Sequence, residues 1–321
     1  MTARMTDAHA PTATPTVVDD PLAAMHAIVR HHTDLFIERD AEPDATPADA
    51  TMAAVAYAAA RRLGFIDADA RYVSAAWARR CQGRPFDPAD WPDDPADFGW
   101  TLPPTRFAPC PRELGLYAVL PDAAWVARLA RAGVPTLQLR FKHPDPDRVA
   151  HEVQAAVEAV RGLPCRLFIN DHWQHAMAAG AYGVHLGQED LDTLTPSDLD
   201  RLRDSGLRLG ISTHGYAEMA RAWALGPSYL ALGAVFPTTL KAMPTAPQGP
   251  GRLARYARLA SDIPTVAIGG IGLAELPAVA ASGVGSFAVV RALVGAPDAP
   301  AAAAELMERW ATLRAGATPS N

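Results

Sequence analysis

The sequence predicts an α/β chain: a (β/α)8 TIM barrel over about residues 111–315, preceded by a small, mainly helical N-terminal extension. Two observations carry that prediction. From Leu114 onward, short apolar runs alternate with amphipathic segments. Continuous apolar runs of this length suit parallel strands buried on both faces. Before that point the periodicity is helical, and a proline-dense stretch separates the two patterns. An open doubly wound sheet is the main alternative. No GxGxxG follows the first apolar run, which counts against a dinucleotide-binding version of that fold.

Taken in order, residues 1–19 are rich in Thr, Ala and Pro and read as disordered. Residues 20–82 read as the helical extension. Leu22, Met25, Val29, Thr33 and Phe36 fall at helical spacing. A second helix is expected from about Pro47 to Leu63, stopped by Gly64. A third covers about Asp67 to Arg80, with Tyr72, Ala76 and Trp77 inward. His31 and His32 read as solvated helix surface. Residues 83–110 contain Pro88, Pro92, Pro95, Pro103, Pro104 and Pro109. Each proline removes a backbone donor and restricts its predecessor, so no long helix or central strand runs there. The stretch reads as a linker hugging the surface.

Residues 111–315 then supply the barrel. Its strands are expected at 114–120, 136–141, 165–170, 183–187, 208–213, 229–233, 265–270 and 286–290. The segments between them carry helix signals. Asp122 caps a helix burying Trp125, Val126, Leu129 and Ala130, and Asp145-Pro146 and Thr195-Pro196 start others. Gly133, Gly206 and Gly226 mark helix ends.

Bulk properties narrow the function classes. The 321 residues are 49% hydrophobic and 20% charged, an ordinary globular balance. The net charge of −6 lacks the basic field a general nucleic-acid binder needs. No apolar run approaches the roughly 18 residues of a membrane helix. The opening MTARMTDAHAPTATPT lacks the apolar core of a signal peptide. Cys81, Cys110 and Cys165 are odd in number and show no CxxC spacing, so neither disulfides nor zinc are indicated. A cytoplasmic chain is expected.

A barrel places its active site at the carboxyl ends of its strands, so the polar residues there matter most. Alternation sends Gln138, Arg140 and Lys142 to one side of the second strand. The third strand ends in Asn170-Asp171 and the fourth runs into His185 and Asp190. The fifth ends in Ser212-Thr213-His214, and the sixth opens a loop through Thr238 and Lys241. Arg140, Lys142 and Lys241 supply cations, and Asp171 and Asp190 supply hard carboxylates. Together they suit a Mg²⁺-pyrophosphate, because Mg²⁺ takes carboxylate and phosphate oxygens. Gly269-Gly270 and the start of the helix after the eighth strand offer a second anion site, though the glycine pair also reads as a plain tight turn. His185 and His214 read as hydrogen-bonded structural histidines. His172 and His175 have no further ligand at hand for zinc.

The strings GLYAVL, GVPTLQLRFK, RLFINDHW, YGVHLGQEDL, LRLGISTH, ALGAVFPTTLKAMPTAPQG, PTVAIGGI and SFAVV carry a resemblance. Over Pro111 to about Leu313 the chain resembles the thiamine-phosphate synthase family, in its proteobacterial form. The resemblance implies condensation of 4-amino-5-hydroxymethyl-2-methylpyrimidine diphosphate with a thiazole phosphate, giving thiamine phosphate and pyrophosphate. It implies that Gln138, Arg140, Lys142, Asn170 and Lys241 hold the diphosphate, and that Asp171 and Asp190 hold one Mg²⁺. Ser212 then lies against the reacting pyrimidine or its leaving group, and Arg140, Lys142, Ser212 and Lys241 assist its departure. Thr238, Gly270, Val290 and Arg291 bind the thiazole phosphate.

Three positions depart from the family pattern: Leu240 where a second Thr is frequent, Arg291 where Ser is usual, and Phe141 where an acidic residue is common. The partners implied are two small molecules, with no nucleic acid and no membrane. The extension is assigned to packing or to self-association into a homo-oligomer. Two other readings stand beside the synthase: a thiazole tautomerase on the same barrel, and a non-catalytic sensor of thiamine phosphate.

Overall fold

Capping side chains decide where the N-terminal helices begin in the structure, a computed structural model that describes residues 16–238 and 245–316. Most of the segment 1–19, read as disordered, therefore lies outside the described residues. Asp20 accepts from the Ala23 amide at 2.9 Å and starts α1 (Pro21–His31). Thr51 Oγ1 accepts from the Ala54 amide at 3.2 Å and starts α2 (Met52–Arg62). The second helix therefore begins later than its expected start near Pro47. Asp49 accepts from both the amide and the hydroxyl of Thr51, which closes the preceding turn. α3 runs over Asp67–Gly83 and α4 is one turn, Pro95–Phe98.

The chain divides into two compact units, Met1–Pro92 with Asp97–Gly99, and Asp93–Ala96 with Trp100–Asn321. In the first unit the buried stripes are Met25 and Ile28 on α1, Val55, Ala56 and Ala59 on α2, and Val73, Ala76 and Trp77 on α3. Of the residues at the first helical spacing, Leu22, Thr33 and Phe36 are exposed, and Tyr72, expected inward, is 36% exposed. A tighter 3₁₀ turn over Thr33–Leu35 follows α1 and buries Leu35 in place of Phe36. Tyr72 lies off the α3 stripe of residues 73, 76, 77 and 80.

His32, read as solvated surface, is 1% exposed; a ring nitrogen lies 3.0 Å from the Pro88 carbonyl and the ring packs edge-on to Trp91. Trp91 also meets Phe65 and Trp77. The proline-rich stretch thus places Trp91 in the first unit. Farther on, Phe107 donates its amide to the Gly226 carbonyl in the second unit.

The second unit is a closed barrel of eight parallel strands in sequence order. They are β1 (Gly115–Leu120), β2 (Thr136–Leu139), β3 (Arg166–Asn170), β4 (Gly183–Leu186), β5 (Arg208–Thr213), β6 (Tyr229–Gly233), β7 (Thr265–Ile268) and β8 (Ser286–Val289). The ring closes between β8 and β1, where Ser286 Oγ accepts from the Leu114 amide at 2.7 Å.

The helices are α5 (Ala123–Arg131), α6 (Pro146–Ala159), α7 (Trp173–Ala179), α8 (Gln188–Thr193), α9 (Pro196–Asp204), α10 (Tyr216–Trp223), α11 (Gly249–Leu259), α12 (Leu276–Ala281), α13 (Arg291–Val294) and α14 (Ala299–Gly316). Asp122, Asp145 and Thr195 cap α5, α6 and α9. No helix among the described residues is long and apolar enough to cross a membrane.

Tyr117, Phe168, Tyr229, Ala231, Val266 and Ala288 fill the barrel interior. Two glycines make room for the rings. A Cβ at Gly183 would press on Phe168, and one at Gly210 would overlap the Tyr229 ring. Fully burying one such aromatic side chain contributes about 1.5–3 kcal/mol. The interior is therefore a packed core, and chemistry is confined to its ends.

Candidate active site

β3 ends one residue before a backbone irregularity that aims a carboxylate. Asp171 has φ 62°, the only non-glycine residue with positive φ among the described residues. That left-handed conformation costs energy for a residue with a Cβ, and such strain concentrates at functional positions. It is held by the Asp171 amide donating to the His185 carbonyl of β4 at 3.0 Å. The Asp171 carboxylate forms an ion pair with Lys142 Nζ from the loop after β2.

Asp190 on α8 is the next carboxylate. Its Oδ2 accepts from the Gly187 amide at 2.7 Å. Burial, followed by the charge and hydrogen bonding of Asp171, raises the Asp190 carboxyl above its ordinary value; the Gly187 amide and Lys142 pull the other way. Lys142, Asp171 and Asp190 therefore form one cluster at the carboxyl ends of β2, β3 and β4. Among the described residues no group of three or more His, Cys, Asp or Glu side chains is placed to hold a metal ion. Two adjacent carboxylates remain an all-oxygen donor pair of the kind Mg²⁺ uses when substrate phosphates complete its shell.

The residues expected along the second strand do not sit alike. β2 stops at Leu139, short of the expected Phe141. Arg140 still donates its amide to the Leu120 carbonyl at 2.8 Å, but its side chain and that of Lys142 are exposed at the rim. Gln138 is 4% exposed and lies inside the barrel, where its Nε2 donates to the Tyr117 hydroxyl at 2.9 Å. Asn170, at the end of β3, is 9% exposed.

His185 on β4 places Nδ1 2.7 Å from the Tyr229 hydroxyl and Nε2 2.8 Å from Ser212 Oγ. Burial pushes its imidazole down to about 4, against an opposing pull from Asp171, so the ring is neutral near pH 7. Gln188 Nε2 donates to the Ser212 carbonyl at 2.8 Å and steadies the end of β5. His214 hydrogen-bonds Glu218 at 2.6 Å through Nδ1.

The other arc of the rim carries the glycines. Gly269 and Gly270 have φ 93° and 69° and pack against Ala234, Phe236 and Pro237 of the β6 loop. Side chains there would strike that loop, so close approach of two backbones already requires glycine. Val290 precedes α13, a single turn of four residues, so the helix dipole expected after β8 is small. Thr238 stands on the loop after β6, and Arg291 is exposed at the start of α13. Lys241, with Leu240, lies outside the described residues.

The sequence reading missed Tyr117 and Tyr229. For Tyr229 the available signal was a tyrosine at an inward strand register opposite a glycine, since Gly210 pairs with it across β5 and β6; Tyr117 pairs with Thr136 and Ala288 and carries no such signal.

Comparison with known proteins bears on this geometry. The family model described as thiamine monophosphate synthase matches residues 116–293. A thiamine-phosphate synthase of Serratia proteamaculans is 52% identical over 204 residues, 64% of this chain and 95% of that protein. One of Escherichia coli O157:H7 is 54% identical over 202 residues, 63% of this chain and 94% of its own length. A solved thiamine phosphate pyrophosphorylase from Pyrococcus furiosus is 27% identical, covers 63% of this chain and 98% of that one, and superposes with a TM-score of 0.54. Each match covers the share of the chain that a barrel alone would fill. With the closed parallel ring and the acidic and basic cluster at the carboxyl ends of its strands, the chain belongs to the thiamine-phosphate synthase family.

Proposed function

We propose that the barrel joins a pyrimidine diphosphate to a thiazole phosphate, releasing pyrophosphate and forming thiamine phosphate, a transferase step of thiamine biosynthesis. The observation that supports this most is the cluster of Lys142, Asp171 and Asp190 on one rim, in a chain of this family. A tautomerase on the same barrel has no use for a diphosphate grip, and this cluster therefore favours the synthase. A thiamine phosphate sensor would bind without releasing pyrophosphate, and turnover separates it.

The roles follow from position. Arg140 and Lys142 are exposed cations at the end of β2, placed to meet diphosphate oxygens, and Lys241 is assigned the same task. Gln138 and Asn170 are assigned to hold the pyrimidine diphosphate. Ser212 is assigned to the reacting carbon or its leaving group. Thr238, Gly270 and the backbone at Val290 and Arg291 are assigned to the thiazole phosphate. Asp171 and Asp190 are the residues that would hold one Mg²⁺, and the ion would supply positive charge for the pyrophosphate leaving group. No protein nucleophile is required. The side chains orient two reactants in line and stabilise a leaving anion. The barrel unit is assigned the whole reaction, in the cytoplasm, and the helical extension a packing or self-association role.

The deciding experiment is pyrophosphate release by the full chain with both substrates and Mg²⁺. Release that needs all three is expected. Binding of both substrates without release would reject the synthase reading.

A further inference from the structure

We propose that Tyr117, Tyr229 and His185 are positioning residues: a one-way hydrogen-bond chain through the barrel interior, started by Gln138, which fixes the Ser212 hydroxyl as a donor toward the mouth. This rests on the synthase reading for what Ser212 touches, and on geometry alone for the chain.

The links run across five strands. Gln138 Nε2 on β2 donates to the Tyr117 hydroxyl on β1 at 2.9 Å. The Tyr117 and Tyr229 hydroxyls, on β1 and β6, are 2.8 Å apart. The Tyr229 hydroxyl is 2.7 Å from His185 Nδ1 on β4, and His185 Nε2 is 2.8 Å from Ser212 Oγ on β5. Gly210 lacks the side chain that would occupy the place of the Tyr229 ring. The phenol ring lies stacked beside the imidazole, 5.7 Å between centroids.

Proton counting sets the direction. An amide nitrogen only donates, so Tyr117 accepts from Gln138. The Tyr117 proton then has one acceptor along the chain, the Tyr229 oxygen. Reversing that link would strand a buried hydroxyl proton, which folded interiors rarely tolerate. Tyr229 must accordingly donate to His185 Nδ1, leaving the imidazole proton on Nε2, where it is given to Ser212 Oγ. Ser212 receives a hydrogen bond from inside the barrel and keeps its own proton for the substrate side. Burial raises both phenols above their ordinary range, so both protons stay in place.

Without that chain the Ser212 hydroxyl is a free rotor. With it, the hydroxyl is a preset donor for negative charge developing on the leaving group, and a donor already aimed costs no reorganisation during reaction. Gln138 and Ser212, both assigned to the pyrimidine diphosphate, become the two ends of one chain.

The test uses the full chain. Tyr229→Phe keeps the ring and removes only the hydroxyl. Its kcat for pyrophosphate release is expected to fall about tenfold, with KM for the pyrimidine diphosphate nearly unchanged. In a Ser212→Ala background the same change is expected to have no further effect, because the oriented group is already gone. An unchanged kcat, or an equal loss with and without Ser212, would overturn the proposal; the second result marks a merely structural tyrosine. Nitrogen-15 NMR of the free protein reads the tautomer directly, with the His185 signal assigned by its loss in His185→Asn. A proton on Nε2 is expected, and a proton on Nδ1 overturns the chain whatever the activity. If the wild-type protein fails to release pyrophosphate, the synthase reading falls, while the tautomer still decides the chain.

Discussion

Asp171 and Asp190 hold two like charges close together in a partly desolvated place, with Lys142 as one counter-charge. Such an arrangement is poor for stability and good for gripping a cation, the trade-off expected where function outranks folding. Asp190→Asn removes one of the charges. Pyrophosphate release is expected to fall by about a hundredfold or more, since the Mg²⁺ proposed for this pair would lose one carboxylate ligand. The metal-free variant is expected to melt no lower than the wild type, because repulsion with Asp171 is relieved. A calorimetric scan with and without Mg²⁺ checks both halves. A variant that loses stability and keeps its turnover would show Asp190 to be structural, serving only as the cap of the Gly187 amide.

At the scale of elements, the barrel strands are matched in pairs of large and absent side chains. Gly210 on β5 faces Tyr229 on β6, and Gly183 on β4 faces Phe168 on β3. Gly210→Ala would force a methyl group into the Tyr229 ring, and overpacking of this kind costs about 1–3 kcal/mol. We expect Tm to fall by several degrees and turnover to fall with it, since the displaced phenol no longer reaches His185. Thermal unfolding and kcat measured on the same preparation settle the point; a fall in Tm with full activity would separate the glycine from the site. The strand positions were legible because both faces of each strand are buried and the apolar runs are continuous. The end of β2 was not, because Arg140 continues the ladder through its amide while its side chain leaves the barrel. Composition reports the side chain and is blind to the amide.

For the whole molecule, the division into two compact units places the predicted chemistry in one of them. The first unit has its own internal support: Arg80, 9% exposed, pairs with Asp90 and with Asp97. Removing one partner of a buried ionic group costs about 3 kcal/mol or more. Arg80→Ala is therefore expected to lower thermal stability and leave kcat per folded molecule unchanged. A drop in kcat at a temperature where the variant is still folded would overturn the assignment of the reaction to the barrel unit alone. Proline density correctly excluded a long helix between the helical and barrel patterns. It did not reveal that Trp91 packs with Phe65 and Trp77, because a proline pattern constrains backbone angles and says nothing about where an aromatic side chain is buried.

Sequence by itself determined the fold class, the approximate spans of the strands and the strand ends that carry Lys142, Asp171 and Asp190, since period and capping are local properties of the chain. Tertiary structure decided the left-handed turn that aims Asp171, the burial of His32, and the line of hydrogen bonds from Gln138 to Ser212. Those depend on residues from five strands meeting inside one closed ring, and contacts between distant segments have no period to read.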